Sequence, residues 1–257
     1  CSSDLDRKRC LHCGNYRAGS HYVVDVEDCL IEDEASQRVI QTVFSLVRSF
    51  RIPVYNEDRE TGLLRHVLVR RGFATGEMLV VLVMAAPSFP GKHHFVDALR
   101  AAHPEITSLV LNLNPHHTTM VLDKTNIPLF GPGYIQDRLG SLTFRLSPGA
   151  FYQVNPIQTE KLYSLAVEFA GLTGKETLLD AYCGIGTIGL AAASRAGRVI
   201  GVELNPDAVR DANLNVRLNG VSNAKFLQGD AGDFMDTLTR KHQSVDVVMM
   251  DPPRSGS

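Results

Sequence analysis

The residues best suited to chemistry form a glycine-rich turn late in the sequence. Gly184, Gly186 and Gly189 follow an apolar run and open a helical pattern, which is the spacing of a nucleotide-binding turn. Asp180 lies just before this turn, and Glu203 ends the next apolar run, where a carboxylate can accept hydrogen bonds from ribose hydroxyls. Because these elements occur in the right order, we predict a nucleoside cofactor site rather than turn-forming glycines and strand-end acids.

The charge of Asp180 distinguishes two classes of cofactor. The pyrophosphate of NAD favours a helix N-terminus and positive partners, whereas an acidic residue favours a cationic ligand group. S-adenosylmethionine carries such a group in its amino acid moiety. We therefore predict S-adenosylmethionine as the cofactor, with Gly229 and Asp230 near its adenine. An NAD-dependent oxidoreductase is the least favoured alternative.

A second group of residues, Asp251-Pro252-Pro253-Arg254, follows the fourth apolar run of this region. Ligands of open parallel sheets bind beyond the carboxyl ends of the strands. The two prolines stiffen the loop and remove backbone donors, so they would hold Asp251 in one orientation. Its carboxylate could then accept a hydrogen bond from the ring N–H of a planar base. The alternative is an ordinary strand end closed by proline.

A parallel sheet is needed to position these residues. Asn205, Pro206 and Gly220 are typical boundary residues of a helix over 207–218. Strand and helix patterns alternate throughout residues 151–257, which predicts an α/β domain with right-handed crossovers. The patterned segments are 158–172, 177–181, 187–196, 198–202, 207–218, 224–228, 234–241 and 245–250.

The earlier part of the chain has a different pattern. Residues 14–150 predict an α+β domain of mostly antiparallel strands, with a helix over 33–50 and a hairpin that turns at 72–76. A last strand is predicted at 142–146. Residues 1–13 are polar and lack a period, which predicts a disordered tail.

Composition limits the class of protein. The chain has 257 residues, of which 44% are hydrophobic and 21% charged. This length and hydrophobic content allow a large core, and the modest charged fraction argues against disorder. A net charge of −2 gives no bulk argument for nucleic acid binding. The sequence has no apolar run long enough to span a bilayer and no signal-peptide pattern. We expect a cytoplasmic protein without a membrane partner.

The turn at 180–189 and the loop at 251–254 occur together with Phe151-Tyr152-Gln153-Val154-Asn155. In combination, these motifs resemble the RNA (uracil-5-)-methyltransferase family, and most closely its bacterial 23S ribosomal RNA branch. The similarity extends to residues 17–29 and 64–70. It implies a Rossmann-like class I methyltransferase sheet, incomplete at its C-terminal end, behind an α+β domain that faces RNA.

The resemblance also implies roles for individual residues. Gln153 and Tyr182 would contact the cofactor, Glu203 would hold its ribose, and Asp251 would orient the uracil ring. Phe151 would pack close to a uridine flipped out of structured RNA. The implied partner is ribosomal RNA, and we expect a monomer.

The reaction that the family implies is methylation of uracil at C5. A cysteine thiolate adds to C6, the methyl group passes to C5, and a base removes the C5 proton. The matching cysteine and glutamate are expected beyond Ser257, so we expect this chain to bind the methyl donor without turnover. Cys183 is expected to fill a tight loop rather than act as the nucleophile. Alternatives are an N-methyltransferase of a nucleic acid base and a non-catalytic module that binds S-adenosylmethionine or RNA.

Two further groups of residues leave open interpretations. Relatives in this family carry an iron–sulfur cluster on four cysteines, the last in a position resembling Cys29, and Cys10-x-x-Cys13 has ligand-like spacing. Cys10 lies too close to the segment after it for the usual arrangement, so we expect free thiols and keep Cys29 as a weak metal candidate. A cluster in a longer, full-length protein stays open. The basic strand with Arg65, His66, Arg70 and Arg71 either faces RNA or is simply solvated.

Overall fold

A computed structural model describes residues 2–5, 11–20, 22–26, 29–118, 120–242 and 244–252. The chain divides into two compact units. The first consists of the described residues within Cys1–Gly72 and Gly76–Ile135, and the second of those within Phe73–Thr75 and Gln136–Ser257. No helix in the described ranges is long and apolar enough to cross a membrane.

A seven-stranded sheet forms the first unit, in the order β3-β2-β1-β4-β5-β6-β7. All neighbouring strands are antiparallel except β5 and β6, which are parallel and joined through helix α2. The predicted mostly antiparallel α+β unit is therefore confirmed. Its elements are β1 (Ser2–Leu5), β2 (Leu11–Tyr16), β3 (Val23–Asp25), α1 (Glu34–Ser49), β4 (Leu64–Arg71), β5 (Met78–Met84), α2 (Lys92–Ala102), β6 (Ile106–Leu113) and β7 (Thr125–Phe130).

The core of this unit lies between the sheet and its helices. Every residue of β5 is buried, and α1 adds a stripe of Val39, Val43 and Val47 at helical spacing. Helix α1 starts where predicted because the Asp33 carboxylate accepts a hydrogen bond from Ser36 N.

The second unit contains a four-stranded sheet in the order β12-β11-β10-β13, and all of its strands are parallel. A separate two-stranded sheet pairs β8 with β9. The predicted alternation of strands and helices is confirmed. The elements are β8 (Ile135–Leu139), β9 (Leu142–Leu146), α3 (Pro156–Phe169), β10 (Thr177–Ala181), α4 (Thr187–Ala193), β11 (Arg198–Glu203), α5 (Pro206–Leu218), β12 (Ala224–Gln228), α6 (Ala231–Arg240) and β13 (Val247–Met250).

The strand order places the predicted site residues at one edge. Ala181, at the end of β10, pairs with Val202 of β11 on one side and with Met250 of β13 on the other. The residues that follow these three strands therefore meet at the same carboxyl edge. The chain leaves β10 towards β11 and returns to β13 on the opposite side, and ligands of open α/β sheets bind at such a switch point.

Three features of the fold differ from the sequence prediction. Residues 2–5 and 11–13 were predicted as a disordered tail but lie in β1 and β2. Their backbone groups are satisfied by hydrogen bonds between the paired strands, which requires no apolar period in the sequence. Residues 1 and 6–10 lie outside the described residues. Strand β8 was not predicted. The compact second unit begins at Gln136 rather than 151, because Asn215 of α5 and Asn219, which caps its C-terminal end, accept hydrogen bonds from the backbone of β9.

Candidate functional site

The glycine-rich turn is built from left-handed backbone. Tyr182 has a φ of 63°, and Gly184 and Gly186 have φ of 54° and 84°. A tyrosine in this conformation is strained, and such strain clusters at functional sites. Helix α4 starts directly after Gly186, so the turn ends on the amide groups of a helix N-terminus.

The Phe226 ring forms the floor of this turn. A Cβ added at Gly186 would lie 2.6 Å from the ring, and one added at Gly201 would lie 2.0 Å from it. Both glycines are therefore required by packing against Phe226, and Gly186 is also required by its left-handed backbone. The sequence analysis did not identify Phe226 or Gly201, because their contact depends on the pairing of β11 with β12.

Asp180 lies buried beneath the turn, with 1% of its surface exposed. Its Oδ2 accepts a hydrogen bond of 2.7 Å from Gly189 N, while its Oδ1 has no hydrogen-bond partner. Burial raises the pKa of Asp180 to about 7, and the charges of Asp251 and Glu203 add to this effect. A buried carboxylate beside two other carboxylates favours a bound cation.

Backbone amides orient the Glu203 carboxylate. Its Oε2 accepts a hydrogen bond of 3.1 Å from Gly184 N, and its Oε1 accepts one of 2.8 Å from Asn205 N. Each carboxylate oxygen can accept a further hydrogen bond. The side chain is only half-buried, so it can offer these lone pairs to hydroxyl groups of a ligand.

The remaining predicted site residues occupy different environments. Asp251 is exposed at the end of β13, yet its charge raises the pKa values of both Asp180 and Tyr163. Asp230 caps α6 by accepting a hydrogen bond of 3.0 Å from Asp233 N. Phe151 is 68% exposed. Pro253 and Arg254 of the predicted base-binding loop lie outside the described residues.

Tyr163 of α3 belongs to the same cluster, although the sequence analysis did not identify it. Its hydroxyl is 3.1 Å from Thr187 Oγ1, and burial together with the charges of Asp251 and Asp180 raises its pKa. In the sequence, Tyr163 shares a helical stripe with Thr159 and Val167, which is the pattern of an ordinary core residue. The contact with Thr187 depends on tertiary structure and leaves no local signal.

Cys183, which lies in this turn, is poorly suited to act as a nucleophile. Cys183 is buried, and burial raises the pKa of its thiol far above the usual range, with further contributions from Asp180 and Glu203. A thiol in this environment is a poor nucleophile. Within the described ranges, no three His, Cys, Asp or Glu side chains are grouped to hold a metal ion. Cys10 lies outside those ranges, so a cluster with Cys13 and Cys29 remains untested.

The basic strand β4 does not present Arg65 to solvent. Arg65 is 2% exposed and forms a bidentate pair with Glu57, with both Nη2–Oε distances at 3.0 Å. It also donates to the backbone oxygens of Asn114 and His116. Arg71 pairs with Asp33 at 2.7 Å. An RNA-facing role for Arg65 is therefore wrong, since the guanidinium organises loops inside the first unit.

Comparison with known proteins adds to this geometry. Residues 172–253 match a family model described as a methyltransferase domain. A tRNA (uracil-54, C5)-methyltransferase of Pyrococcus abyssi, solved in complex with S-adenosyl-L-homocysteine, superposes with a TM-score of 0.75 at 26% identity, over 94% of this chain and 57% of that one. The predicted Rossmann-like methyltransferase fold is confirmed.

Bacterial relatives match nearly the whole chain. An RNA methyltransferase of Halalkalibacterium halodurans is 43% identical over 98% of the chain and 55% of the relative. Another, of Caldanaerobacter subterraneus, is 42% identical over 95% of the chain and 54% of the relative. The chain thus spans about half the length of the curated relatives it matches. These similarities, together with the motifs of the second unit, support the predicted resemblance of the chain to the RNA (uracil-5-)-methyltransferase family.

Proposed function

We propose that this chain binds S-adenosylmethionine at the carboxyl edge of its parallel sheet, as part of an enzyme that methylates C5 of uridine in ribosomal RNA. The observation that carries the proposal is the carboxylate cluster of Asp180, Glu203 and Asp251 around the left-handed turn. The proposed cofactor-binding residues are Gln153, Tyr182, Gly184, Gly186, Glu203, Asp230 and Asp251.

The residues of the turn fit this cofactor. Asp180 Oδ1 is a buried acceptor without a partner, which suits the positively charged amino acid moiety. Glu203 is held by two backbone amides and retains acceptor capacity for ribose hydroxyls. Gly184 has open space where a Cβ would be, so a ligand can approach the backbone. Bound there, S-adenosylmethionine supplies an electrophilic methyl group.

The proposed substrate is a uridine that has left its stack in folded RNA. Phe151 offers a large exposed aromatic surface, and aromatic rings stack on unstacked bases. Asp251 would accept a hydrogen bond from the ring N–H of uracil. Support for an RNA substrate comes from the names of the bacterial relatives, and support for C5 of uracil from the Pyrococcus abyssi neighbour. The choice of 23S ribosomal RNA rests on the sequence motifs.

Tritium release tests the substrate and the position of methylation together. RNA labelled with [5-³H]uridine loses tritium to water only when C5 is substituted, so an N-methyltransferase releases none. We expect the natural protein to release tritium from 23S ribosomal RNA when S-adenosylmethionine is present, and not from transfer RNA. Tritium release from transfer RNA alone would show that the substrate is transfer RNA and not ribosomal RNA. Methyl incorporation without tritium release would contradict methylation at C5.

A further inference from the structure

A cavity of about 450 Å³ lies between α6 and the amino ends of the parallel strands, and its volume is within the range of pockets that hold a small organic ligand. Thr177 and Arg198, which line it, are the first residues of β10 and β11 and pair with each other. Ala181, at the carboxyl edge, follows Thr177 by four residues, which is roughly 13 Å along a strand. The cavity is therefore separate from the proposed methyl-donor site.

Basic side chains give this cavity its charge. Arg198, Lys225 and Lys241 are the charged side chains among the described residues that line it. Within the part of the chain that the structure describes, none of the three forms an ion pair with a carboxylate. The hydroxyl groups of Thr237 and Ser244 add neutral donors. An anion that enters the cavity is therefore attracted by all three cations at once.

Two acids near the amino ends of the strands are held by backbone amides. Asp246 Oδ2 accepts a hydrogen bond of 2.7 Å from Thr177 N. Glu176 Oε2 accepts hydrogen bonds from Thr173 N at 2.7 Å and from Lys175 N at 3.2 Å. Because both carboxylates are engaged at the strand ends, they leave the three cations of the cavity without a partner of opposite charge.

The wall of the cavity is apolar. Leu227 of β12 lies opposite Phe234 and Leu238, which are one helical turn apart on α6, and all three are half-buried. A phosphate ion alone would use the cations and the hydroxyl groups but not this wall. Sites for single-stranded nucleic acid combine basic side chains with aromatic or apolar surfaces that contact the bases. The combination therefore favours a phosphate that carries a nucleoside.

We propose that this basic cavity binds a nucleoside phosphate, with the phosphate between Arg198, Lys225 and Lys241 and the base against the wall that contains Phe234. A nucleotide within an RNA strand and a free nucleotide offer the same chemistry, and the experiment below distinguishes these two sources. The inference goes beyond the proposed function, because it does not require S-adenosylmethionine at the other edge of the sheet.

Replacement of the three cations tests the site. Fluorescence anisotropy measures binding of fluorescein-labelled hexauridylate to the wild-type chain and to the triple variant Arg198→Gln/Lys225→Gln/Lys241→Gln. We expect the variant to bind at least about tenfold more weakly, the effect of one lost charge-assisted hydrogen bond. The slope of log affinity against log salt concentration should become shallower by at least about 0.7, the contribution of one neutralised phosphate of a single strand.

A matched control removes the same charge elsewhere in the second unit. Arg138, Lys161 and Arg217 are exposed and do not line the cavity, so Arg138→Gln/Lys161→Gln/Arg217→Gln should bind hexauridylate like the wild type. Equal weakening in the two triple variants would overturn the proposal, because it would show a bulk charge effect. Wild-type affinity in the cavity variant would overturn it as well.

Competition identifies the ligand and its source. Uridine 5′-monophosphate should displace the labelled hexauridylate, and inorganic phosphate at the same concentration should displace much less. Equal displacement by phosphate would contradict the contact with a base. If unlabelled hexauridylate competes at least about tenfold better than the mononucleotide, an RNA strand is the source; equal competition identifies a free nucleotide.

Folding and the methyl-donor site are checked in the same proteins. The cavity variant should unfold at the wild-type temperature, because all three of its substituted residues are exposed. Its affinity for S-adenosylhomocysteine should also stay unchanged, since the cavity is remote from the carboxyl edge. The single substitutions Arg198→Gln, Lys225→Gln and Lys241→Gln should each weaken hexauridylate binding, and they carry the test if the triple variant unfolds early. Wild-type affinity in all three single variants would overturn the proposal.

Discussion

At the scale of single residues, Asp180 is a buried acid whose environment differs strongly from that of a surface acid. Its place before a glycine-rich turn could be predicted from the sequence, and so could its preference for a cation. Its burial and its bond to Gly189 could not, because they depend on β11 and β13 pairing on either side of β10. Local spacing thus identifies the residue, while tertiary structure sets its pKa.

The raised pKa of Asp180 predicts pH-dependent binding of S-adenosylhomocysteine. With a pKa of about 7 in the free protein, Asp180 is mostly protonated at pH 6, and a bound ammonium group favours its ionised form. Binding must therefore release a proton, and affinity should fall as pH is lowered from 7 to 5.5, by up to about tenfold per unit. Calorimetry in two buffers of different ionisation enthalpy measures the protons released.

Asp180→Asn should abolish both the proton release and the pH dependence in this range, because the amide does not ionise. The exposed Asp236→Asn on α6 is the control and should behave like the wild type. If the wild-type chain binds the ligand at pH 6 without releasing protons, Asp180 does not face the ammonium group.

At the scale of elements, the turn and its floor form one packed unit. The glycine spacing at 184–189 could be predicted, because it belongs to a local motif. Gly201 could not, because it faces Phe226 across the pairing of β11 with β12. The boundaries of α5 followed from Asn205, Pro206 and Gly220, since capping chemistry is local.

Gly201→Ala tests the packing of this floor. The new Cβ would lie 2.0 Å from Cδ1 of Phe226 and 3.0 Å from Sγ of Cys183, so the ring or the strand must move. Overpacking of this kind costs about 1–3 kcal/mol of unfolding free energy, measured by chemical denaturation. Gly149→Ala is the control, because a Cβ there meets nothing within 4 Å. Equal stability of the two variants would contradict this packing.

At the scale of the whole molecule, each compact unit can be understood from its own contacts. The α/β class of the second unit and the antiparallel character of the first could be predicted from periodicity. The start of the second unit could not, because the hairpin of β8 and β9 belongs to it through polar side chains of α5. Asn215 is fully buried: its Oδ1 accepts from Arg145 N at 2.8 Å, and its Nδ2 donates to Ile185 O at 3.1 Å.

Asn215→Ala should therefore destabilise the second unit and disturb the turn together. It leaves a buried N–H of β9 and a carbonyl of the turn without their partner, at a cost of about 1–3 kcal/mol for each unsatisfied group. We expect a lower unfolding free energy and weaker binding of S-adenosylhomocysteine. Arg217→Ala, exposed on the same helix, should leave both unchanged. A loss of stability with unaltered binding of S-adenosylhomocysteine would show that the contacts between the hairpin and α5 do not support the binding site.

The most direct test of the account is calorimetric titration of the chain with S-adenosylhomocysteine and, separately, with NAD. We predict saturable binding of S-adenosylhomocysteine, no binding of NAD, and about tenfold or greater weakening in Glu203→Gln, because a hydrogen bond to a charged acceptor contributes about 1.5–3 kcal/mol. Glu168→Gln on the exposed face of α3 is the control. Binding of NAD in place of S-adenosylhomocysteine, or wild-type affinity in Glu203→Gln, would contradict the assignment of this site to a methyl donor.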